Sequence, residues 1–379
     1  MTASRPGRRT ISRIAARTSF IAPVFGHRHS PARRFQRTDA QGRRVARWTR
    51  LDSSRVKCRV AAAWAIVLTL GSADAQAWGC DGHRAVVFIA ERLLSPLTLA
   101  RVKATLVAAP IDPALRRFCD AVPDDPIADS STWADDYRDV DAATFGWHFI
   151  NVPRAVVILT PSNERRYCPD GTCVVDAVAA QFRALTTSAD PIVRGNALRF
   201  LLHFVGDLHQ PLHTTTNGDR GGNCVPVTYH DRAPEQNPGG DFSPNLHAVW
   251  DTSMIRTLMT ARGLADARAL AADIVARRPL PSTVSPLRPT TGVVTGWAQG
   301  AHALGRTLVY PRLPRPIAME TTSVIPLASC SDNHDVVRRM LAMREVIDAQ
   351  YENGAFPAIV DQLRLAGVRL AAVLKPAFP

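Results

Sequence analysis

The sequence predicts a mainly α-helical fold, built as one large domain from residue 78 to residue 379. Apolar residues recur at helical spacing in most of the long segments, whereas strand signals are scarce. These 302 residues contain no internal repeat and no low-complexity linker. A chain of that length can bury a substantial core, so we expect a single multi-helix domain.

The first predicted helix shows the pattern most clearly. Residues 83–94 ("HRAVVFIAERLL") place six apolar side chains on one side, and Pro96 follows as a stop signal. The same spacing predicts further helices at 174–186, 193–210, 265–278, 334–354 and 355–375.

Strand signals are confined to one region. Residues 224–231 ("CVPVTYHD") combine β-branched and aromatic residues beside a Gly-rich turn, which predicts a short β-hairpin insertion. The surrounding segment 214–246 is rich in Gly, Pro and Asn. We therefore expect a long loop there that shapes the rim of a cleft.

The formal charge of +13 suggests a nucleic-acid or membrane surface, but it is confined to the start of the chain. Residues 1–77 hold 16 of the 46 Lys and Arg and three of the 33 Asp and Glu. The remaining 302 residues carry 30 of each sign and no net charge. A basic body is therefore excluded as an argument for function.

A secretory signal peptide is predicted at residues 56–77. A short basic start precedes an apolar run from Val60 to Leu70, and small residues end at Ala75-Gln76-Ala77. Cleavage after Ala77 would make Trp78 the first residue of a secreted or periplasmic protein with no membrane span. The Arg-rich segment 1–55 fits no secretory pattern. It could be a transit peptide, an arm that binds polyanions, or a stretch upstream of a true start near Val56.

Six cysteines remain after that cleavage, and export permits disulfides. Cys168 and Cys173 flank the turn sequence "PDGT", which favours a small-loop bridge between them. The other four cysteines have no obvious pairing. A cysteine zinc site is disfavoured because the sequence has no C-x-x-C pair.

Residues 200–213 ("FLLHFVGDLHQPLH") place three histidines and an aspartate in an apolar helix. His203 and Asp207 are four apart and share one helical face, while Pro211 should end the helix and leave His213 just beyond it. Burying such groups unpaired costs roughly 2–7 kcal/mol even for a neutral polar group. Neutral imidazole and carboxylate are zinc ligands, so a metal would remove this cost.

Other segments repeat the pattern. "NLHAVWD" (245–251) again sets a histidine and an aspartate four apart, His247 and Asp251. "STWADDYR" (131–138) offers Asp135, "WHFIN" (147–151) offers His148, and "WGCDGH" (78–83) offers His83. Each alone is more often a structural residue, but together they indicate a site for several metals.

In this order, the motifs resemble those of the zinc-dependent single-strand nucleases, the S1/P1 nucleases. The motifs are Trp-x4-His, WADDYR, WHF, H-F-x-G-D-x-x-Q-P-L-H and N-L-H-x-x-W-D. The resemblance is strong from residue 78 to about 255 and looser towards the C-terminus, where "AGVRLAAVL" fits the family's final helix. It also implies a bridge between Cys168 and Cys173.

The resemblance implies three zinc ions held by this chain. One ion would take Asp135, His148, His203 and a bridging Asp207. A close neighbour would take Asp207, His83 and the backbone amine and carbonyl of Trp78. A more distant ion would take His213, His247 and Asp251. His209 has no counterpart in the motif, so we expect it to be structural or to support a ligand.

The resemblance also implies a reaction. A hydroxide shared by two zinc ions would attack phosphorus, Arg138 would clamp the phosphoryl charge, and Phe149 would stack on a base. Asn151 stands where the family often has an aspartate that recognises the base. The expected substrates are single-stranded DNA, RNA and 3′-nucleotides, cut to 5′-phosphorylated products by a monomeric enzyme.

Two alternatives remain open. A zinc phospholipase C has a similar centre, but its first histidine lies farther from the N-terminal Trp and glutamate stands in the place of Asp251. An exported zinc-binding protein without activity is the other. A bridging carboxylate beside Arg138 argues against it, because structural zinc is normally closed by four protein ligands.

Overall fold

The computed structural model describes residues 78–238, 240–313, 329–330, 342 and 345–379. The predicted leader (1–55) and signal peptide (56–77) lie outside the described residues. The described part is mainly helical, as predicted. Its helices are α1 (Gly79–Glu91), α2 (Pro96–Val107), α3 (Pro126–Ser130), α4 (Trp133–Tyr137), α5 (Val174–Thr187), α6 (Pro191–Asp207), α7 (Leu246–Ala248), α8 (Met254–Ala261), α9 (Ala267–Arg277), α10 (Thr291–Leu304) and α11 (Ala349–Ala377).

Helix α6 lies at the centre of the core. Asp190 caps its start by accepting a hydrogen bond from the Ile192 amide at 2.8 Å, and Pro191 occupies the first turn. From Ala197 to Asp207 every side chain is buried, so this part of the helix has no solvent face. It packs against α5, α11, α1, α2 and α4. A histidine or aspartate on any face of this part of α6 therefore contacts protein rather than water.

Helix α1 packs between α6, α9 and α11. Its approach to α11 is close: a Cβ at Gly367 would lie 2.5 Å from the Ile89 side chain. Its approach to α6 is equally close, because a Cβ at Gly206 would lie 2.7 Å from the His83 ring. Glycine at Gly206 therefore lets a histidine of α1 reach the ligand-bearing end of α6.

Several short strands lie beside the helices. β2 (Glu235–Gln236) and β3 (Phe242–Ser243) pair antiparallel, which gives the predicted hairpin insertion. The strand predicted at 224–231 is present as β1 (Val227–Tyr229). It does not belong to the hairpin, since it pairs in parallel with β4 (Glu345–Ile347), far along the chain.

The prediction of one helix over 334–354 is wrong at residues 345–347, which form β4. Their side chains alternate buried, exposed, buried, and that period suits the edge offered by β1. Asp348 then starts the last helix by accepting from the Tyr351 amide at 2.9 Å. α11 therefore begins at Ala349 and runs through Gly354 and Pro357, where the sequence had indicated a break. The rest of 334–344, apart from residue 342, lies outside the described residues.

Disulfides join Cys80 to Cys119, Cys168 to Cys173 and Cys224 to Cys330. The Cys168–Cys173 bridge confirms the prediction from the turn sequence. The other two span 39 and 106 residues, which sequence spacing alone could not pair. No helix among the described residues has the length and apolar character needed to cross a membrane.

Candidate metal centre

The candidate ligands come from seven helical elements. α1 provides His83, α4 provides Asp135, and α6 provides His203 and Asp207. His148 ends a 3-10 helix at Ala142–His148, and His213 ends a 3-10 turn at Pro211–His213. His247 lies on α7, and Asp251 lies on the wide helical turn Val249–Ser253 that follows. All eight side chains are buried.

Helix α6 ends earlier than predicted. The sequence predicts a helix to residue 210 that Pro211 stops, but regular α-helix ends at Asp207 with Leu208 as its C-cap. Pro211 instead begins the turn that carries His213. The carbonyl of His213 accepts from the Ile150 amide at 2.8 Å, which ties this turn to the strand-like segment after His148. The two predicted ligand segments are thus joined through backbone.

Asp207 faces two groups of ligands with its two oxygens. Oδ1 lies 3.3 Å from His83 Nε2. Oδ2 lies 3.3 Å from His203 Nε2 and 3.0 Å from His148 Nδ1. Asp135 Oδ1 completes the second group at 3.6 Å from both His203 Nε2 and His148 Nδ1. One carboxylate shared between two sets of donors is the arrangement of a bridging ligand.

Trp78 and His83 lie together against α6. The His83 ring stacks on the His203 ring with centroids 3.8 Å apart. The indole nitrogen of Trp78 donates to the Gly206 carbonyl at 2.8 Å, and the whole residue is buried. The Trp78 carbonyl accepts from the Gly82 amide at 2.9 Å, so it lies at the start of α1, within the same turn as His83.

A second cluster contains His213, His247 and Asp251. His213 Nε2 lies 3.0 Å from His247 Nε2, and His247 Nε2 lies 3.0 Å from Asp251 Oδ2. Asp251 Oδ1 lies 3.8 Å from His213 Nε2. The i,i+4 spacing of His247 and Asp251 survives although the helix changes its winding between them.

Hydrogen bonds to backbone decide which histidine nitrogen faces each cluster. Nδ1 of His213 lies 2.7 Å from the His148 carbonyl, and Nδ1 of His247 lies 2.7 Å from the Gly221 carbonyl. A carbonyl only accepts, so each Nδ1 must carry a proton and donate it. In the neutral rings both Nε2 atoms then present lone pairs to each other at 3.0 Å. A proton on one ring, or a metal ion bound by both, would remove the repulsion between the two lone pairs.

His203 follows the same rule. Its Nδ1 donates to the Ser131 carbonyl at 2.8 Å, which turns Nε2 towards Asp207 and Asp135. Two ligands at 2.0–2.1 Å from a tetrahedral zinc ion lie about 3.3 Å apart. The donor separations in both clusters, from 3.0 to 3.8 Å, bracket that distance. The donor types and spacings therefore fit zinc.

The two carboxylates of the first cluster, Asp135 and Asp207, also favour a bound cation. Burial alone would lower the pKa of His203, but Asp207 and Asp135 outweigh it and raise that pKa to about 9. Burial works to raise the pKa of Asp207, yet His203 and its neighbours hold it well below its usual value. Without a metal, the two carboxylates thus draw a proton onto His203. A divalent ion would supply the same positive charge to several donors at once.

Polar atoms of both clusters have no hydrogen-bond partner among the described residues. They are both ring nitrogens of His83, Nε2 of His148 and His203, Oδ1 of Asp207 and Oδ2 of Asp251. Buried polar atoms are almost always paired. Ligation would satisfy the atoms that point into the clusters.

Glu164, Cys168 and Cys173 also lie close enough together to suggest a metal site. The two sulfurs are joined in a disulfide, so neither is a thiolate ligand. Burial raises the pKa of the Glu164 carboxyl, which favours its neutral form beside the bridge. This group is therefore a structural one.

The remaining sequence-predicted residues lie around the first cluster. Arg138 Nη2 is 3.3 Å from Asp135 Oδ1, and 14% of its side chain is exposed. Phe149 directly follows His148 and is half-buried, as is Asn151. His209 lies outside all the clusters: Nδ1 faces the Val205 carbonyl at 2.6 Å, and Nε2 lies 2.7 Å from Arg369 Nη1 on α11.

Sequence reasoning missed the residues that support the ligands. Gln210 is fully buried and donates through its amide to Asp251 Oδ1, while its oxygen accepts from the Leu212 amide. Asp219 accepts from the Asn217 and Gly222 amides and from the Tyr310 hydroxyl, and so orders the loop that presents the Gly221 carbonyl to His247. The signal that was available for Gln210 is its place in the sequence: it is a polar residue in a mostly apolar stretch, between the predicted ligands Asp207 and His213.

A mainly helical domain with buried clusters of histidine and aspartate, each close enough together to hold a metal ion, is the architecture of a metal-dependent protein. A family model described as S1/P1 Nuclease matches residues 78–379. The chain belongs to the S1/P1 nuclease family, whose members are hydrolases of phosphodiester bonds.

Relatives from fungi and plants share parts of the sequence. Nuclease P1 of Penicillium citrinum is 28% identical over 265 residues, which cover 66% of this chain and 87% of that protein. Nuclease S1 of Aspergillus oryzae is 30% identical over 187 residues, 47% of this chain. Endonuclease 5 of Arabidopsis thaliana is 31% identical over 209 residues, 50% of this chain. The matches span 54% of nuclease S1 and 60% of endonuclease 5.

Proposed function

We propose that this protein is an exported, zinc-dependent endonuclease and 3′-nucleotidase that cuts single-stranded DNA and RNA to 5′-phosphorylated products. The observation that carries this proposal is the pair of clusters in which backbone carbonyls turn buried imidazole nitrogens towards carboxylates. Family membership over residues 78–379 supports the reaction class.

Three zinc ions would be held by nine residues in the sets predicted from the motifs. Asp207 would bridge two of them through its separate oxygens, and the cluster of His213, His247 and Asp251 would hold the third. When bound, the zinc ions would supply a nucleophilic hydroxide near neutral pH and Lewis-acid stabilisation of phosphoryl charge.

The chain's own residues would orient the substrate. Arg138 is held by its own turn, since its Nε donates to the Asp135 carbonyl at 3.1 Å, so its guanidinium would present further donors to a phosphoryl group at the rim of the first cluster. The ring of Phe149 would stack on a base, and the Asn151 amide would donate or accept at the base edge.

Export and chain organisation belong to the same proposal. The family match begins at Trp78, the residue that the predicted cleavage would expose. Three disulfides fit an oxidising compartment, which supports a secreted or periplasmic location. We propose that residues 78–379 act as one monomeric catalytic domain.

Metal removal and substrate choice test the proposal together. Dialysis against a chelator should abolish cleavage of single-stranded DNA and lower the melting temperature, and zinc should restore both, because bound metal stabilises the native state. Elemental analysis gives the number and type of ions. Cleavage that persists after verified metal removal would contradict the proposal. Hydrolysis of phosphatidylcholine instead of DNA would indicate the phospholipase alternative, and zinc binding without either activity would indicate a binding protein.

A further inference from the structure

Phe145 is an exposed aromatic residue beside the first cluster that the motifs did not single out. Phe145 is 46% exposed, and every other Phe, Tyr and Trp in the described part of the chain is less exposed. Phe145 and His148 are three apart in the same 3-10 helix, where residues i and i+3 lie on one side. Phe145 therefore lies on the same side of this helix as the candidate ligand His148.

Two contacts place the Phe145 ring between residues proposed to touch substrate. Its centroid lies 5.5 Å from that of Phe149, and the two ring planes are 77° apart. The Arg138 guanidinium carbon lies 5.8 Å from the Phe145 centroid, within cation–π range. Arg138 in turn contacts Asp135 at 3.3 Å. A continuous line of contacts thus runs from the metal ligands to this exposed ring.

We propose that Phe145 is a second base-stacking residue, so that Phe145 and Phe149 hold the two bases that flank one scissile phosphate. This proposal rests on the proposed nuclease function. Each ring offers a π-face to any base, and Arg138 lies beside Phe145, where it can meet the phosphate that joins the two nucleotides.

The angle between the rings predicts which strands can bind. Neighbouring bases in a duplex are parallel, whereas bases stacked on rings 77° apart must diverge. A single strand can splay two bases at the cost of their mutual stacking, but a duplex must also break base pairs on both sides. The perpendicular pair of rings therefore selects unpaired strands as well as binding them.

Dinucleotides with one scissile phosphate test this inference. The substrates are the deoxyadenosine dinucleotide and two versions in which either the 5′ or the 3′ nucleoside is replaced by an abasic tetrahydrofuran. Wild-type zinc-loaded enzyme should lose about tenfold in kcat/KM for each replacement, because each removes one stacked base. Phe145→Leu should become insensitive to one replacement, and Phe149→Leu should become insensitive to the other.

Matched variants separate stacking from an effect on folding or on Arg138. Phe145→Tyr keeps the ring and should restore the lost sensitivity, while Phe145→Trp, with a larger face, should increase it. Zinc content is measured for every variant first. If Phe145→Leu lost metal, Phe145→Tyr and Phe145→Trp would still test the proposal. Equal sensitivity of these two variants to the abasic replacements would overturn it.

The outcomes distinguish this proposal from the function on which it rests. A Phe145→Leu enzyme that stays sensitive to both replacements would overturn the stacking role. An equal loss on all three dinucleotides would overturn it too, since that pattern would mean that the ring acts only by positioning Arg138. The proposed nuclease function itself would be overturned if wild-type protein hydrolysed none of the three dinucleotides and also failed to cleave longer single-stranded DNA.

Discussion

At the scale of single residues, hydrogen bonds to backbone carbonyls determine which nitrogen of three histidines can bind a metal. His203, His213 and His247 each donate Nδ1 to a carbonyl, from Ser131, His148 and Gly221. Each bond sets both the tautomer and the direction of Nε2. His209 also bonds a carbonyl through Nδ1, yet its Nε2 meets Arg369 instead of a carboxylate. All four histidines thus bond a carbonyl through Nδ1, and the group that faces the second nitrogen separates His209 from the candidate ligands.

We therefore predict that His203→Ala and His209→Ala have different effects although the residues lie six apart. His203→Ala should lose metal from the first cluster and reduce strand cleavage by more than about a hundredfold, because even residues that support a ligand cost 10- to 100-fold. His209→Ala should keep the wild-type zinc content and lose about 1–3 kcal/mol of stability, because it leaves polar groups unpaired. Elemental analysis, initial rates and urea unfolding measure these effects.

His209→Gln serves as the matched control, since its amide oxygen can still accept from Arg369. It should recover part of the stability that alanine loses. Equal loss of zinc in the His203 and His209 alanine variants would show that the ligand assignment is wrong.

At the scale of elements, the end of α1 places an ionisable side chain, Glu91, in a mostly apolar pocket. Glu91 lines a small pocket with Val87, Ile127, Leu202 and Leu370. Burial raises the pKa of Glu91 to about 7, and the nearby Asp125 carboxylate adds to that effect. The folded protein therefore holds this proton more tightly than the unfolded chain, whose glutamates titrate near 4.5.

The sign of the pH dependence follows from that difference. The stabilisation due to protonated Glu91 is complete below pH 4.5 and is lost as the pH rises through 7. Glu91→Gln should remove this dependence. Its free energy of unfolding relative to wild type should therefore be higher at pH 8 than at pH 5, by on the order of 1–2 kcal/mol after a discount for partial solvent screening. Urea unfolding of both proteins at both pH values measures it. The double difference cancels pH effects that both share, including metal loss, and a value near zero would contradict the prediction.

At the scale of the whole molecule, distant parts of the chain meet at the ligands. The candidate set extends from His83 on α1 to Asp251, and α11 contacts the segment between Asp207 and His213 through the Arg369–His209 pair. Trp78 lies at the start of α1, against Gly206 of the ligand helix. If the proposed zinc ion next to Asp207 is bound by the amine of Trp78, it would depend on cleavage directly before that residue.

We predict that one residue added before Trp78 weakens that ion. A free α-amine has a pKa near 8 and can lose a proton to bind metal, whereas a peptide nitrogen has no available lone pair. Protein that begins Gly-Trp78 should bind about one zinc ion fewer than protein that begins at Trp78, and should cleave single strands more slowly. Elemental analysis after gel filtration and initial rates give the comparison. Three tightly bound ions with full activity in the extended protein would remove the N-terminal amine from the site.

Much of the local structure follows from sequence pattern alone. Apolar residues predicted α1, α5, α6 and α9 to within a few residues at most ends. Helices α1, α5 and α9 bury a face of period 3.6, whereas α6 is buried on every side from Ala197 onwards. The i,i+4 pairs on α6 and at 247–251 and the bridge around "PDGT" depend on neighbours in the chain, so they could be predicted as well.

Tertiary structure decided what local pattern could not. Residues 345–347 became a strand because β1 offered a free edge, and two disulfides joined cysteines 39 and 106 residues apart. Gln210 and Phe145 gained their places from contacts with Asp251, Arg138 and Phe149, which no spacing rule encodes. The sequence by itself determined which residues could bind metal, because donor chemistry and helical period are local. Only the packed chain determined which nitrogen faces which oxygen, because that choice depends on backbone carbonyls brought from elsewhere in the fold.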